Sequence, residues 1–170
     1  LPPCAVRENI AGTVQDLSTA AGVERVRQAL AQEQPGWDNM IASIGWERII
    51  ISSVNLDEDK EYVGRNIAEI TGGGTAADPV QWLCDLVCRE RGKVGIILMS
   101  MAQEDVDAVM RLPYSMVISD SLYGNMDSPH PRLYGSFAKI IRDYVQERHI
   151  LPLETAVYKM SGLTARRFGI

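Results

Sequence analysis

The chain has 170 residues, of which 46% are apolar and 23% charged, and its net charge is −5. That balance excludes a disordered or fibrous chain, and the length suffices for one domain with a hydrophobic core. Acidic and basic residues are intermixed without a basic stripe, so nucleic acid is not an expected partner. No apolar run approaches the roughly 20 residues that span a bilayer, so a membrane is not expected either.

The sequence opens Leu1-Pro2-Pro3-Cys4, with no initiator methionine and no basic and apolar regions of a signal peptide. The expectation is a chain processed, or cut from a longer protein. The three cysteines, Cys4, Cys84 and Cys88, are too few for a disulfide framework and suit a reducing, cytoplasmic setting. Cys84 and Cys88 share a helix face at i, i+4. Without further ligands at zinc spacing they read as two semi-buried thiols.

In chain order, residues 1–40 are expected to be helical and polar, with Val23, Val26 and Leu30 forming an apolar stripe that Pro35-Gly36 stops. A short helix is expected over 37–44. The β-branched run RIIISSV, 48–54, predicts a strand. A charged turn, 55–60, and a short helix, 64–70, follow. Gly72-Gly73-Gly74 lacks the spacing and lysine of a phosphate loop and reads as a link. Asp78 as N-cap and Pro79 at the first helical position open a helix that Gly92 ends. KVGIILM, 93–99, predicts an apolar strand. Ser100 and Gln103 can form a capping box for a helix over 101–112. YSMVIS, 114–119, predicts a third, fully buried strand. A loop rich in Gly, Asn, Asp, Ser and Pro covers 120–131. An amphipathic helix is expected over 132–148, another from 153 to 160, and a short turn at the end.

Apolar strands alternating with amphipathic helices argue for an α/β fold with a parallel sheet covered by helices. Three strands are too few for a closed barrel, so the chain reads as a segment of a larger fold. In such folds functional groups sit at the C-terminal ends of strands. Asp120 falls there, ahead of an unusually long loop that ends in His130-Pro131-Arg132. A carboxylate at that place can bind a metal or take a proton, and a guanidinium can grip a substrate carboxylate. Spacing alone leaves a second reading open: Asp120 caps a turn and Arg132 merely starts a surface helix.

Met116-Val117-Ile118-Ser119-Asp120, then Ser128-Pro129-His130-Pro131-Arg132-Leu133-Tyr134-Gly135-Ser136-Phe137, resembles the late catalytic segment of the N-acyl-D-amino-acid deacylases, or D-aminoacylases, of the amidohydrolase superfamily. Leu153-Glu154-Thr155-Ala156-Val157-Tyr158-Lys159-Met160-Ser161-Gly162-Leu163 is similar to that family's closing helix. Upstream, Pro35-Gly36-Trp37 and the run from Gly45 through Ser52-Ser53-Val54 are also similar. The resemblance implies the C-terminal segment of a TIM-barrel amidohydrolase. Residues 1–36 would be a helical lead-in, 37–92 an inserted and mostly helical subdomain with one strand, and 93–170 the last barrel βα units and closing helices.

For function, the resemblance implies a parent enzyme that uses zinc to hydrolyse N-acyl-D-amino acids to a carboxylate and a D-amino acid. Asp120 would approach the zinc and act as general base and then acid. Arg132 would bind the substrate α-carboxylate, helped by Ser52. Trp46 falls, loosely, where the family has an aromatic residue near the substrate. Two departures stand out. The family's Ser-Asp-Gly is Ser119-Asp120-Ser121 here, which puts the loop shape in question. The family's His-x-His is absent: the chain holds only His130, read as a loop anchor, and His149, read as a helix-end residue. By itself the chain is therefore expected neither to hold the catalytic zinc nor to hydrolyse amides. Its open sheet edges predict that the isolated chain rearranges or forms a homo-oligomer. A non-catalytic binding or structural domain derived from the same fold, or an amidohydrolase of a cyclic amide, are the alternatives.

Overall fold

The computed structural model describes residues 1–121 and 130–170, so most of the loop expected over 120–131 lies outside the described residues. These residues divide into two units, 1–100 and 101–121 with 130–170. No helix among them is long and apolar enough to cross a membrane.

The first unit begins with a helical hairpin. Asn9 caps α1 (Ile10–Leu17) by accepting from the Gly12 N–H at 2.8 Å, and Thr19 caps α2 (Ala20–Leu30) by accepting from the Gly22 N–H at 3.0 Å. The two helices approach so closely at Gly22 that a β-carbon there would stand 1.9 Å from the Asp16 carbonyl oxygen. Ala5, Leu17, Val23 and Val26 pack with Val80 and Cys84 of α5 (Pro79–Arg89), an amphipathic helix opened by Asp78 and Pro79 as expected. Between them lie α3 (Met40–Ile44), capped by Asn39, and α4 (Ile67–Ile70), capped by Asn66.

Among the described residues the sheet has two strands, β1 (Ile49–Ser53) and β2 (Gly95–Leu98). They pair antiparallel, Ile49 opposite Leu98 and Ile51 opposite Ile96, with an irregularity between Ile51 and Ser53. The expected parallel arrangement is thus corrected. Both strands fall where β-branched content put them, but strand direction is set by partners, which composition does not encode. Ile51 also donates its N–H to the Arg65 carbonyl at 3.0 Å and accepts from the Gly64 N–H at 2.8 Å. Ile49, Ile51, Val54, Ile67 and Leu86 form the core beneath β1. The turn after β1 is held from α5. The buried Glu90 carboxylate accepts from the Asn55 and Leu56 N–H groups at 2.6 and 3.0 Å, and Arg89 grips the buried Asp59.

The second unit has no strand among its described residues. It comprises α6 (Gln103–Arg111), α7 (Arg132–Lys139), a π-helical continuation (Ile140–Glu147), α8 (Leu153–Met160) and α9 (Gly162–Phe168). Met110, Ile140, Tyr144, Leu151 and Ala156 make its core. Asp107 receives both terminal nitrogens of Arg148 and the amide of Gln103, and Arg148 lies over the Tyr144 ring at 5.4 Å. Three expectations are corrected here. The segment 114–119 is not a strand: it has the composition of one, but Tyr114 and Ile118 are 69% and 70% exposed, and Val117 donates instead to the Lys159 carbonyl at 3.2 Å. The expected capping box does not form, because Gln103 turns inward to Asp107 and Tyr144 and leaves α6 without a side-chain cap. The helix expected over 132–148 changes from α to π at Ile140.

Gly22→Ala should lower stability by about 1–3 kcal/mol, the usual cost of overpacking. A chemical or thermal melt checks this, and an unchanged transition would contradict the close α1–α2 approach. Arg142, and then Lys139, hold the Asp143 carboxyl down to about 2. Its depressed value stabilises the fold above the ordinary carboxylate range near 3.8 and is lost as pH falls through about 2. A carbon-detected NMR titration of Asp143 should give a midpoint near 2.

Candidate functional site

Asp120 lies at the end of the irregular segment that follows α6. Its backbone is left-handed, with φ of 46°. Aspartate is one of the few residues that tolerate this conformation. The next residue is Ser121, whose hydroxyl donates to the Ser119 carbonyl at 3.1 Å. The positive φ thus falls on the aspartate itself, and among the described residues Ser121 is not one of the non-glycine positions that carry it. A side chain after the aspartate is accommodated for that reason.

Arg132, the first residue of α7, places Nη1 3.7 Å from Oδ2 of Asp120. That is an electrostatic contact beyond hydrogen-bond range. Both side chains keep water access, at 46% and 77% exposure, so the pair is weak and its members are free to exchange partners. The Arg132 N–H donates to Nδ1 of His130 at 3.1 Å, so His130 anchors the start of α7, consistent with its reading as a loop residue. Burial, and then the nearby Arg132 cation, push the His130 imidazole below its usual value. His149 lies exposed beyond the π-helical stretch and bonds the Val145 carbonyl.

Trp46 and Ser52 belong to the first unit. Trp46 starts a 3-10 turn, is half-buried against both of that unit's apolar clusters, and lines an apolar cavity of about 160 Å³ together with Trp37, Ile49 and Leu83. Ser52 sits at the irregularity of β1, is buried, and turns its hydroxyl toward Gly95. Of the four predicted residues, the structure brings together Asp120 and Arg132.

Among the described residues no group of three or more His, Cys, Asp and Glu side chains could hold a metal. Burial pushes the Cys84 thiol up to about 11 and raises that of Cys88, whose hydrogen points at the Val14 carbonyl. Cys84 is buried and Cys88 half-buried, both as free thiols.

Sequence reasoning passed over Lys159, which is only 2% exposed and points into the turn that starts the Asp120 segment. A signal was present. Lys159 follows Ala156 and precedes Met160 in a short amphipathic helix, at a position where the apolar face requires burial.

No family model matches the chain. It is 39% identical, over 97 residues, to a D-aminoacylase of Alcaligenes xylosoxydans xylosoxydans, a match covering 51% of this chain and 20% of that protein. Among solved structures, a D-aminoacylase described as defining a novel subset of amidohydrolases aligns with a TM-score of 0.55 and 33% identity, covering 72% of this chain and 24% of that one. An N-acyl-D-glutamate deacylase from Bordetella bronchiseptica, solved with zinc and a phosphonate mimic of the tetrahedral intermediate, aligns with a TM-score of 0.58 and 30% identity over 77% of this chain and 26% of that one. Over the part they share, the chain is a relative of amidohydrolases. Within that class its relatives are the D-aminoacylases and N-acyl-D-amino-acid deacylases. The chain spans about a fifth of the length of the curated relative and about a quarter of the solved ones.

Because the Asp120–Arg132 pair is solvent-exposed, Arg132→Met should change stability by less than about 1 kcal/mol. Arg148→Met, which strips Asp107 of a bidentate partner, should destabilise the fold more than Arg132→Met does. Parallel denaturant melts check the contrast. Equal losses would mean that Arg132 is chiefly a structural residue.

Proposed function

We propose that this chain forms the closing part of a zinc-dependent hydrolase that splits N-acyl-D-amino acids into a carboxylate and a D-amino acid. In this reading the chain would be the C-terminal portion of a TIM-barrel amidohydrolase, with 37–92 as an insert. The observation that carries it is the meeting of Asp120 and Arg132, a proton-transfer group and a carboxylate-binding group, in a chain whose relatives are deacylases.

The zinc named for the Bordetella relative would polarise an amide carbonyl and ease deprotonation of water. The described residues do not assemble a site for it: they offer Asp120, and His130 is engaged with the backbone of Arg132. The ligands would have to come from elsewhere in a longer protein, and the steps assigned here are confined to this chain's own side chains.

Arg132 is freed from its weak contact with Asp120 when a substrate α-carboxylate offers a bidentate partner. That exchange fixes the substrate's orientation and leaves the Asp120 carboxylate without its cation. Asp120 then takes a proton from the attacking water as the water oxygen bonds to the amide carbon. As the carbon–nitrogen bond breaks, Asp120 returns the proton to the departing nitrogen, and the free D-amino acid leaves. The resemblance alone would add Ser52 as a further carboxylate donor and Trp46 beside the substrate in the longer protein.

The test is amino-acid release by the zinc-loaded full-length protein from N-acetyl-D-methionine and its L-enantiomer. The D form alone should be turned over, and Asp120→Asn should lower kcat by about 10²–10⁴-fold, the span of general acid–base catalysis. No turnover of either enantiomer with zinc bound, or full activity in Asp120→Asn, would overturn the reading.

A further inference from the structure

Lys159 is 2% exposed and belongs to α8. Its ammonium donates to the Leu112 carbonyl, to the Ser115 carbonyl at 3.2 Å and to the Ser115 hydroxyl at 2.9 Å. The three partners match the three N–H bonds of an ammonium, and all are neutral oxygens. The same residue's carbonyl accepts from the Val117 N–H at 3.2 Å. One residue thus grips 112, 115 and 117, three points on the segment that ends at Asp120.

Burying an ammonium without a carboxylate is costly, and here burial lowers the Lys159 pKa. A methionine of similar length would fill the same space without that penalty. What methionine lacks is direction: three donors that hold carbonyl and hydroxyl groups at fixed places. The segment needs such a hold because its strand-like residues 114–119 gain no ladder among the described residues, and Tyr114 and Ile118 face solvent.

We propose that Lys159 is a positioning residue for Asp120, a buried ammonium pin that fixes the segment 112–117 and thereby the place and left-handed backbone of the carboxylate. The proposal rests on the deacylase reading for its effect on turnover, but not for its effect on the segment. Arg132 stands on α7, outside the grip of Lys159, so loss of the pin acts on proton transfer rather than on substrate binding.

The experiment compares full-length wild type with Lys159→Met and Ser115→Ala, by steady-state kinetics on N-acetyl-D-methionine and by amide hydrogen exchange. Lys159→Met should lower kcat roughly tenfold or more, as misplacement of a reacting group does. KM should change by less than about twofold. Exchange should accelerate in the peptide 113–121 and stay unchanged in 49–53. Ser115→Ala, which removes one of three acceptors, should fall between wild type and Lys159→Met and guards against a variant that fails to fold. Unchanged exchange in 113–121 overturns the proposal whatever the activity. A uniform rise across the chain, with kcat and KM moving together, reduces Lys159 to a packing residue and overturns it as well. If wild type turns over no substrate, the deacylase reading fails, while accelerated exchange confined to 113–121 still supports the pin.

Discussion

A sheet of two short strands cannot satisfy a buried backbone from one side, and the first unit meets that constraint at Ile51. β2 bonds one edge of β1, while Arg65 and Gly64 bond Ile51 from the other. The side chain has no solvent exposure. Position and direction of the neighbouring residues follow from this. Ser52 is held at the irregularity beside Gly95, and the 3-10 turn from Trp46 enters β1 at a fixed place. The turn beyond β1 is locked by Glu90 and by Arg89 on Asp59, so that α5, which packs the helical hairpin on one face, also fixes the strand's exit.

The second unit meets the same requirement with polar side chains. Asp107, Arg148, Gln103 and Tyr144 join α6 to the π-helical stretch, and Lys159 joins α8 to the segment after α6. Each contact has direction as well as energy, which apolar packing by Met110, Ile140 and Leu151 does not supply. The apolar core brings these elements together, and the polar contacts choose one register among several that burial alone would accept.

How much of this was legible depended on whether the cause was local. Helix starts were: Asp78-Pro79 reads directly as a cap and first turn because its chemistry lies within four residues. The strands Ile49–Ser53 and Gly95–Leu98 were legible from β-branched content. Their antiparallel pairing was not, since direction is a property of a pair distant in sequence. YSMVIS carried a strand's composition without a strand's partners, and composition cannot report a missing neighbour. Gln103 likewise bonds Tyr144, 41 residues away, rather than the helix start beside it. At the site, Asp120 and Arg132 stood out from their place at the end of an expected strand and its long loop, and the resemblance gave them roles, while the left-handed φ of Asp120 was not legible.

The left-handed φ falls on Asp120 itself. A glycine after the aspartate would leave both backbones free to share the turn. With Ser121 there, a left-handed φ at that position would cost about 1 kcal/mol or more. The aspartate takes it instead, and the serine closes a hydrogen bond onto Ser119. The Asp120 side chain is therefore mounted on a left-handed backbone, exposed to water and touched only loosely by Arg132. Such a mounting keeps its place only if the residues before it cannot relax. Three residues upstream of Asp120, Val117 is bonded to the carbonyl of Lys159, whose ammonium holds the turn before it. The buried cation and the exposed carboxylate thus lie at two ends of one segment: directed bonds hold it where water is excluded, and the Asp120–Arg132 contact is left in water.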